Sequence, residues 1–186
     1  MAKASRNPFL NQIDNRNFLS SVGFKFTLAK YPKVDFYSNS ARIPEIQLGL
    51  VQQPTYLKDI DVPGEKLTYG DLNLRFLVDE NMENYMAVYT WLTGLGFPET
   101  PSQFKTLTTD SANQRDMKEA FSDGTLMILN SNLREVAKVK FLDLFPTSLT
   151  SLEFDTGVTD IQYFTAEATF KYLVYNIVGD DGRTRL

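Results

Sequence analysis

The groups able to carry chemistry in this chain are carboxylates, because its 186 residues contain no histidine and no cysteine. Thiol nucleophiles, thiolate or imidazole zinc sites, disulfides and Ser-His-Asp triads are therefore absent from the repertoire. Asp59 and Asp61 stand two residues apart and on a strand share one face, and paired carboxylates at a suitable separation do glycosidase chemistry. Their neighbours Lys58 and Pro63-Gly64 favour a plainer reading, the solvated end of a hairpin. Asp79, Glu80 and Glu83 are accounted for by a helix start, where acidic groups complement the positive end of the helix dipole. Asp180 and Asp181 have the oxygen ligands that a hard cation takes, but they sit in a polar tail. Gly94-Leu95-Gly96 follows a helix instead of opening one, the wrong place for a phosphate cradle. The expectation is a non-enzymatic protein with no catalytic, cofactor or metal residues.

The composition sets the frame around those residues. A content of 42% hydrophobic and 13% aromatic residues is too apolar for disorder and predicts one packed domain. The net charge of −4 and the absence of any Lys/Arg run argue against tight, general binding to DNA or to an anionic membrane. The N-terminal residues show no apolar secretory core, and no stretch is long and apolar enough to span a bilayer.

The elements that position these residues are mostly strands. From Gly23 the sequence alternates, with Phe24, Phe26 and Leu28 on one face. Tyr31-Pro32 interrupts it, Phe36 resumes it and Ser38-Asn39-Ser40 reads as a turn. Ile46–Tyr56 is extended and interrupted by Gly49 and Pro54. The stretch that follows reads as strand, Pro63-Gly64 turn, strand. Leu72, Leu74, Phe76 and Val78 alternate with polar residues. A single long helix is expected over about 80–95. Its core stripe is read as Met82, Tyr85, Met86, Tyr89, Trp91 and Leu92, its start is capped by Asp79 or Asn81, and its end is set by Gly94, Gly96 and Pro98. Residues 97–123 form a long polar connection with a short helix near Asn113–Phe121. Strands return over Thr125–Leu129, Glu135–Leu144, Leu149–Phe154 and Ile161–Val178. The last has Phe164, Ala166, Ala168, Phe170, Tyr172 and Val174 on its core face and Thr165, Glu167, Thr169 and Lys171 on its polar face. The fold class is therefore α+β and β-rich: two packed antiparallel sheets with one flanking helix. The organisation is an N-terminal arm (1–22), a single domain (23–178) and a C-terminal tail (179–186).

Two blocks carry a family resemblance. The first is KFLDLFPTSLTSLEFDTGVTDIQYFTAEATFKYLVY: a strand reaching Leu144-Phe145-Pro146-Thr147, a short run through Leu152, Phe154 and Asp155, and a long strand from Ile161-Gln162-Tyr163 through Tyr175. The second runs from Ala41 to Gly96, an Ile-Pro turn, a hairpin, the Asp71-Leu72-Asn73-Leu74 strand and the helix. In this order they resemble the tail-tube proteins of contractile-tailed bacteriophages, which are related to type VI secretion tube proteins. The resemblance implies packed sheets with a flanking helix, six subunits joined edge to edge so that their inner sheets close into one barrel, and rings stacked into a tube that conducts DNA. Pro146 then ends a strand and turns the chain between sheets. The implied partners are further copies of the chain, the tail sheath, and baseplate or tail-terminator proteins. DNA passes through the lumen without specific binding, and the setting is the virion. The repeating tube subunit is favoured. A baseplate initiator, a tube-terminal ring, a type VI-like secretion tube and a monomeric β-sandwich binding module are the alternatives. Subunit contacts are expected at Phe9, Leu10, Ile13 and Phe18 of the arm and at Tyr56, Lys58, Asp59 and Asp61 of the hairpin end. Lumen-lining residues are expected among Asp71, Asn73 and Arg75 and among Thr165, Glu167, Thr169 and Lys171. A surplus carboxylate there, repeated six times, gives a negative wall.

Overall fold

A computed structural model of the chain describes residues 18–19, 21, 23–32, 36–96, 120–155, 157 and 163–179. The arm positions Phe9, Leu10 and Ile13, the expected helix near 113–121 apart from its last two residues, and Asp180-Asp181 lie outside these. Nine strands and one helix follow in the order β1 (Phe24–Leu28), β2 (Tyr37–Ala41), β3 (Ile46–Gln53), β4 (Ile60–Tyr69), β5 (Leu72–Leu77), α1 (Glu83–Gly96), β6 (Ser122–Leu129), β7 (Glu135–Leu149), β8 (Thr165–Lys171) and β9 (Val174–Gly179). The α+β, β-rich reading with one helix holds. Every pairing is antiparallel, and a hydrogen-bonded path runs β1-β6-β7-β8-β5-β2, with β9 also on β7 and β3-β4 standing apart as a hairpin.

Strand β7 explains the Phe-Pro corner. It is one strand of fifteen residues that contains Pro146, not two strands separated by it. Its first half pairs with β6 and β9, and its second half pairs with β8. Two irregularities bend it between the sheets. Asp143 adopts φ 52°, left-handed backbone that Asp tolerates better than most residues, where β7 slips against β6. A second slip against β8 lies between Pro146 and Ser148. Pro146 is thus a buried bend inside a strand, and residues 150–155 form no strand. The partner strand bends at the same level. Lys171 faces Phe145 and Val174 faces Leu142, so Tyr172-Leu173 breaks the expected long strand into β8 and β9 while the pairing keeps one register.

Other turn expectations yield to pairing. Ser38-Asn39-Ser40 lies within β2 at a bulge against β5, and Pro63-Gly64 lies within β4. Gly64 passes so close to Gly49 that an added Cβ would stand 2.6 Å from the Gly49 carbonyl oxygen, so this crossing admits only glycine without a shift.

The core lies between the two halves of the bent sheet, closed by α1. Phe26, Leu72, Leu74, Phe76, Phe141, Leu144, Ala166, Ala168 and Phe170 are fully buried, which matches the alternation read for β1, β5 and β8. Phe26 meets Phe36 edge-on at 6.1 Å and Phe170 at 6.2 Å. Phe164, expected in this face, is 37% exposed because it precedes the strand and stacks on Phe154 instead.

The helix face turned inward coincides only in part with the expected Met/aromatic stripe: Trp91 is buried and Tyr85 and Leu92 pack against the core. Asn84, Ala87, Val88, Trp91 and Gly94 are buried, whereas Met86 and Tyr89 are about half exposed. Trp91 fixes this rotation: its indole N–H donates to the Ala120 carbonyl at 2.9 Å, and its ring packs on Phe170 and Tyr31. The expected cap is also replaced. The buried Asn84 amide donates to the Leu77 carbonyl (2.8 Å), and its oxygen accepts from the Asp79 (3.2 Å) and Tyr85 (2.8 Å) N–H groups, tying the end of β5 to the first turn of the helix.

Candidate assembly surfaces

The hairpin β3-β4 is the most conspicuous apolar surface. Ile46 faces Tyr69, Leu48 faces Leu67, Leu50 faces Pro63 and Val51 faces Val62. Strands of this composition normally bury at least one face. Here every residue of β3 is exposed, with Leu50 at 68% and Leu67 on the opposite strand at 54%. The tip carries Tyr56 and Leu57, both almost wholly exposed. Thr55 shapes the tip: its hydroxyl accepts from the Lys58 N–H and donates to the Lys58 carbonyl. Contiguous exposed apolar surface of this kind marks an interaction site.

The root of the hairpin is rigidly held. The Gly70 N–H donates to the Glu45 carbonyl at 3.0 Å. The Tyr172 hydroxyl donates to the Gly70 carbonyl (2.8 Å) and the Tyr175 hydroxyl to the Pro44 carbonyl (3.0 Å). Tyr69 packs edge-on against Tyr172 and Tyr175, and Phe141 packs against the same two rings. Burial, then Tyr175, Asp71 and Tyr69, push the Tyr172 hydroxyl up to about 12. Tyr175 is raised as well, by burial and Tyr69. The hairpin thus springs from a tyrosine cluster set at the bend of the main sheet.

The second surface is the outward face of the four-strand half formed by β2, β5, β8 and the end of β7. Both sets of expected lumen residues fall on it. Asn73 lies opposite Thr169 and Arg75 opposite Glu167, while Leu77, which the sequence reading did not single out, lies opposite Thr165. Arg75 donates to the Thr165 hydroxyl at 3.2 Å, and Lys171 forms an ion pair with Asp71. Thr147 donates to the Thr169 carbonyl at 3.1 Å. On β5, β8 and their ends, Asp71 and Glu167 stand beside Lys171 and Arg75, and the exposed Arg42 directly follows β2. Among the described residues no strand pairs with the outer side of β2 or with that of Phe145–Leu149 of β7, although Phe36, just before β2, bridges to Phe26 of β1. Beside the β7 edge runs an open groove of about 510 Å³ between Thr147–Leu149 and Tyr85, Tyr89 and Leu92 of α1.

The remaining expected site residues are accounted for as follows. Asp59 precedes β4 and Asp61 lies within it opposite Gln52, both exposed beside the tip, so the pair forms no enclosed carboxylate site. Lys58 belongs to the tip turn and Phe18 is 98% exposed. No group of three or more metal-ligating side chains is assembled among the described residues.

The family model for phage tail tube proteins matches residues 7–178. The chain belongs to this family. A member-level relative is the tail tube terminator protein of Enterobacteria phage T4, 26% identical over 174 residues and covering 91% of each chain. The tail-tube fold is shared with solved structures of contractile injection systems. The tube-terminating cap of the anti-feeding prophage superposes with a TM-score of 0.59 at 17% identity, over 92% of this chain and 98% of that one. The sheath/tube terminator of an extracellular contractile injection system in its extended state gives 0.54 at 18% identity, over 87% and 96%. The sheath-tube complex of such a system gives 0.56 at 18% identity, over 88% and 93%.

Proposed function

We propose that this tail-tube protein is a structural ring subunit that terminates the tube of a phage tail. The observation that carries the reading is the end-to-end similarity to the T4 tail tube terminator, which spans 91% of both chains. This favours the tube-terminal ring over the repeating subunit that the sequence pattern alone suggests. Six copies join through the free edges of the four-strand half-sheet, β2 of one subunit beside the end of β7 of the next. An open sheet with two unpaired edges is a liability that closure into a ring removes. A β2-to-β7 contact is head-to-tail, and such contacts close into rings when the rotation allows. The outward face with Asn73, Arg75, Thr165, Glu167, Thr169 and the Asp71–Lys171 pair then lines the bore through which DNA passes.

The hairpin is the docking arm of this ring. Its exposed apolar strands and rigid root suit a contact with a neighbouring copy or with the last ring of the tube, and Tyr56, Lys58, Asp59 and Asp61 stand at its reaching end. The sheath and the neck or baseplate components of a contractile tail are the further partners, and the virion is the place of action. The reaction chemistry of the chain is none.

Immunogold labelling of intact tails tests the reading. Label at one end of the tail is expected. Label along the whole length would replace the terminator by the repeating tube subunit, and no label on virions would remove both.

A further inference from the structure

The strands of the hairpin β3-β4 do not themselves fix where it points. Among the described residues they pair only with each other, and neither strand contributes to the buried cluster of the domain. Two short tethers join the hairpin to the main sheet, residues 42–45 after β2 and residues 70–71 before β5. The backbone bond between the tethers, from the Gly70 N–H to the Glu45 carbonyl, holds them together but leaves open the angle at which the hairpin departs. Tyr172 and Tyr175 act on that angle, one on each tether. The Tyr172 hydroxyl donates to the Gly70 carbonyl and the Tyr175 hydroxyl to the Pro44 carbonyl, at 2.8 and 3.0 Å. Their rings stand 5.9 Å apart, and both meet edge-on the ring of Tyr69, the last residue of β4. Residues three positions apart point to opposite faces of an unbroken strand. The break at Tyr172-Leu173, between β8 and β9, turns both tyrosines to the same side. Lys171 and Val174 meanwhile keep their places opposite Phe145 and Leu142 of β7, so the clamp is anchored in the main sheet.

We propose that Tyr172 and Tyr175 are positioning residues of the hairpin, and that the break between β8 and β9 aims their hydroxyls at the two tethers so that the hairpin is held at one angle to the sheet. The hydroxyls carry this role. Apolar packing of the rings is non-directional, whereas a hydrogen bond to a carbonyl has a preferred distance and direction. Pro44 stiffens its own tether further, because its ring locks φ. The use of this aim rests on the reading of the hairpin as a docking arm: an arm already held at its bound angle loses less freedom when it docks.

The test measures the angle directly. The chain has no cysteine, so Gln53→Cys at the far end of β3 and Lys140→Cys on β7, both exposed, give one pair of spin labels in the full chain. Double electron–electron resonance reads the distance between them, on chain diluted until sedimentation shows monomer. Otherwise wild-type chain is expected to give one narrow distance. Tyr172→Phe and Tyr175→Phe keep the rings and remove one hydroxyl each; each is expected to broaden the distribution, and the double variant to broaden it most. Tyr163→Phe, whose ring is 81% exposed, is the control and is expected to change nothing. Urea unfolding by circular dichroism checks that the variants fold, and if the double variant does not, the single variants decide. Hydroxyls that only add stability would lower the urea midpoint and leave the distance narrow; that result overturns the proposal, as does a broad distance in wild type. Ultracentrifugation at higher concentration separates the clamp from the docking reading. Broadened distances with assembly as in wild type keep the clamp and remove the docking arm, whereas narrow distances with weakened assembly remove the clamp and keep the arm.

Discussion

Replacing Leu50 and Leu67 of the hairpin by Ser separates folding from assembly. Both side chains are mostly in solvent, at 68% and 54% exposure, and neither touches the buried cluster that holds the domain. Their loss removes only cross-strand contacts, worth about 0.2–1 kcal/mol each. The assembled state is different. Fully burying a leucine is worth about 1.5–3 kcal/mol. Covering the half to two-thirds now exposed therefore yields about 1–2 kcal/mol per side chain, and the double variant forfeits roughly 2–4 kcal/mol at each docked arm. At 1.4 kcal/mol per factor of ten, that is a loss of about thirty- to a thousandfold in association at each contact. Urea unfolding by circular dichroism is expected to place the double variant within about 1–2 kcal/mol of wild type. Analytical ultracentrifugation is expected to shift it from rings towards monomers. Unchanged assembly would refute the hairpin as a docking arm. A loss of several kcal/mol from the monomer would show that the hairpin packs on its own domain.

Three further outcomes are expected. Phe170→Ala empties the centre of the core between Phe26 and Trp91 and is expected to cost about 3–5 kcal/mol in denaturant unfolding, whereas Thr169→Ser on the opposite face costs little; equal effects would mean the register of β8 is wrong. Asn84→Ala leaves the Leu77 carbonyl and the Asp79 N–H without their partner at a buried junction, at about 1–3 kcal/mol for each orphaned group, and an unchanged urea midpoint would show that water replaces the amide. Tyr172 is held neutral in the fold, so its contribution is fully present below about pH 10, the usual tyrosine value, and is lost as the pH rises towards about 12; Tyr31 and Tyr175, also raised, act in the same sense. Urea midpoints falling between pH 10 and 12 in wild type and falling less in Tyr172→Phe are the expected result, and identical pH profiles would refute it.

The sequence by itself determined the strand faces wherever alternation met a two-sided environment. Phe26 and Leu28, Leu72, Leu74 and Phe76, and Ala166, Ala168 and Phe170 point inward as their period of two requires, since a half-buried strand sorts its residues by polarity. It also placed α1, and it set Asn73, Arg75, Glu167 and Thr169 on polar faces. What it left open was which faces meet. That β5 and β8 are neighbours, so that two polar rows become one continuous surface, is a matter of non-local pairing between residues about ninety positions apart. The hairpin was legible as strands, but the stretches around Gly49 and Pro63-Gly64 read as breaks because local turn propensity points that way; a bulge against the partner strand absorbs them. The same holds at Pro146, where β7 continues because Asp143 takes the left-handed conformation and lets one strand serve two sheets. The rotation of α1 was decided last. Of the stripe Met82, Tyr85, Met86, Tyr89, Trp91 and Leu92, Trp91 is buried in a row with Asn84, Ala87 and Val88, while Met86 and Tyr89 turn outward. The tertiary bonds of Trp91 to Ala120 and of Asn84 to Leu77 select this rotation, because a buried indole and a buried amide must find partners.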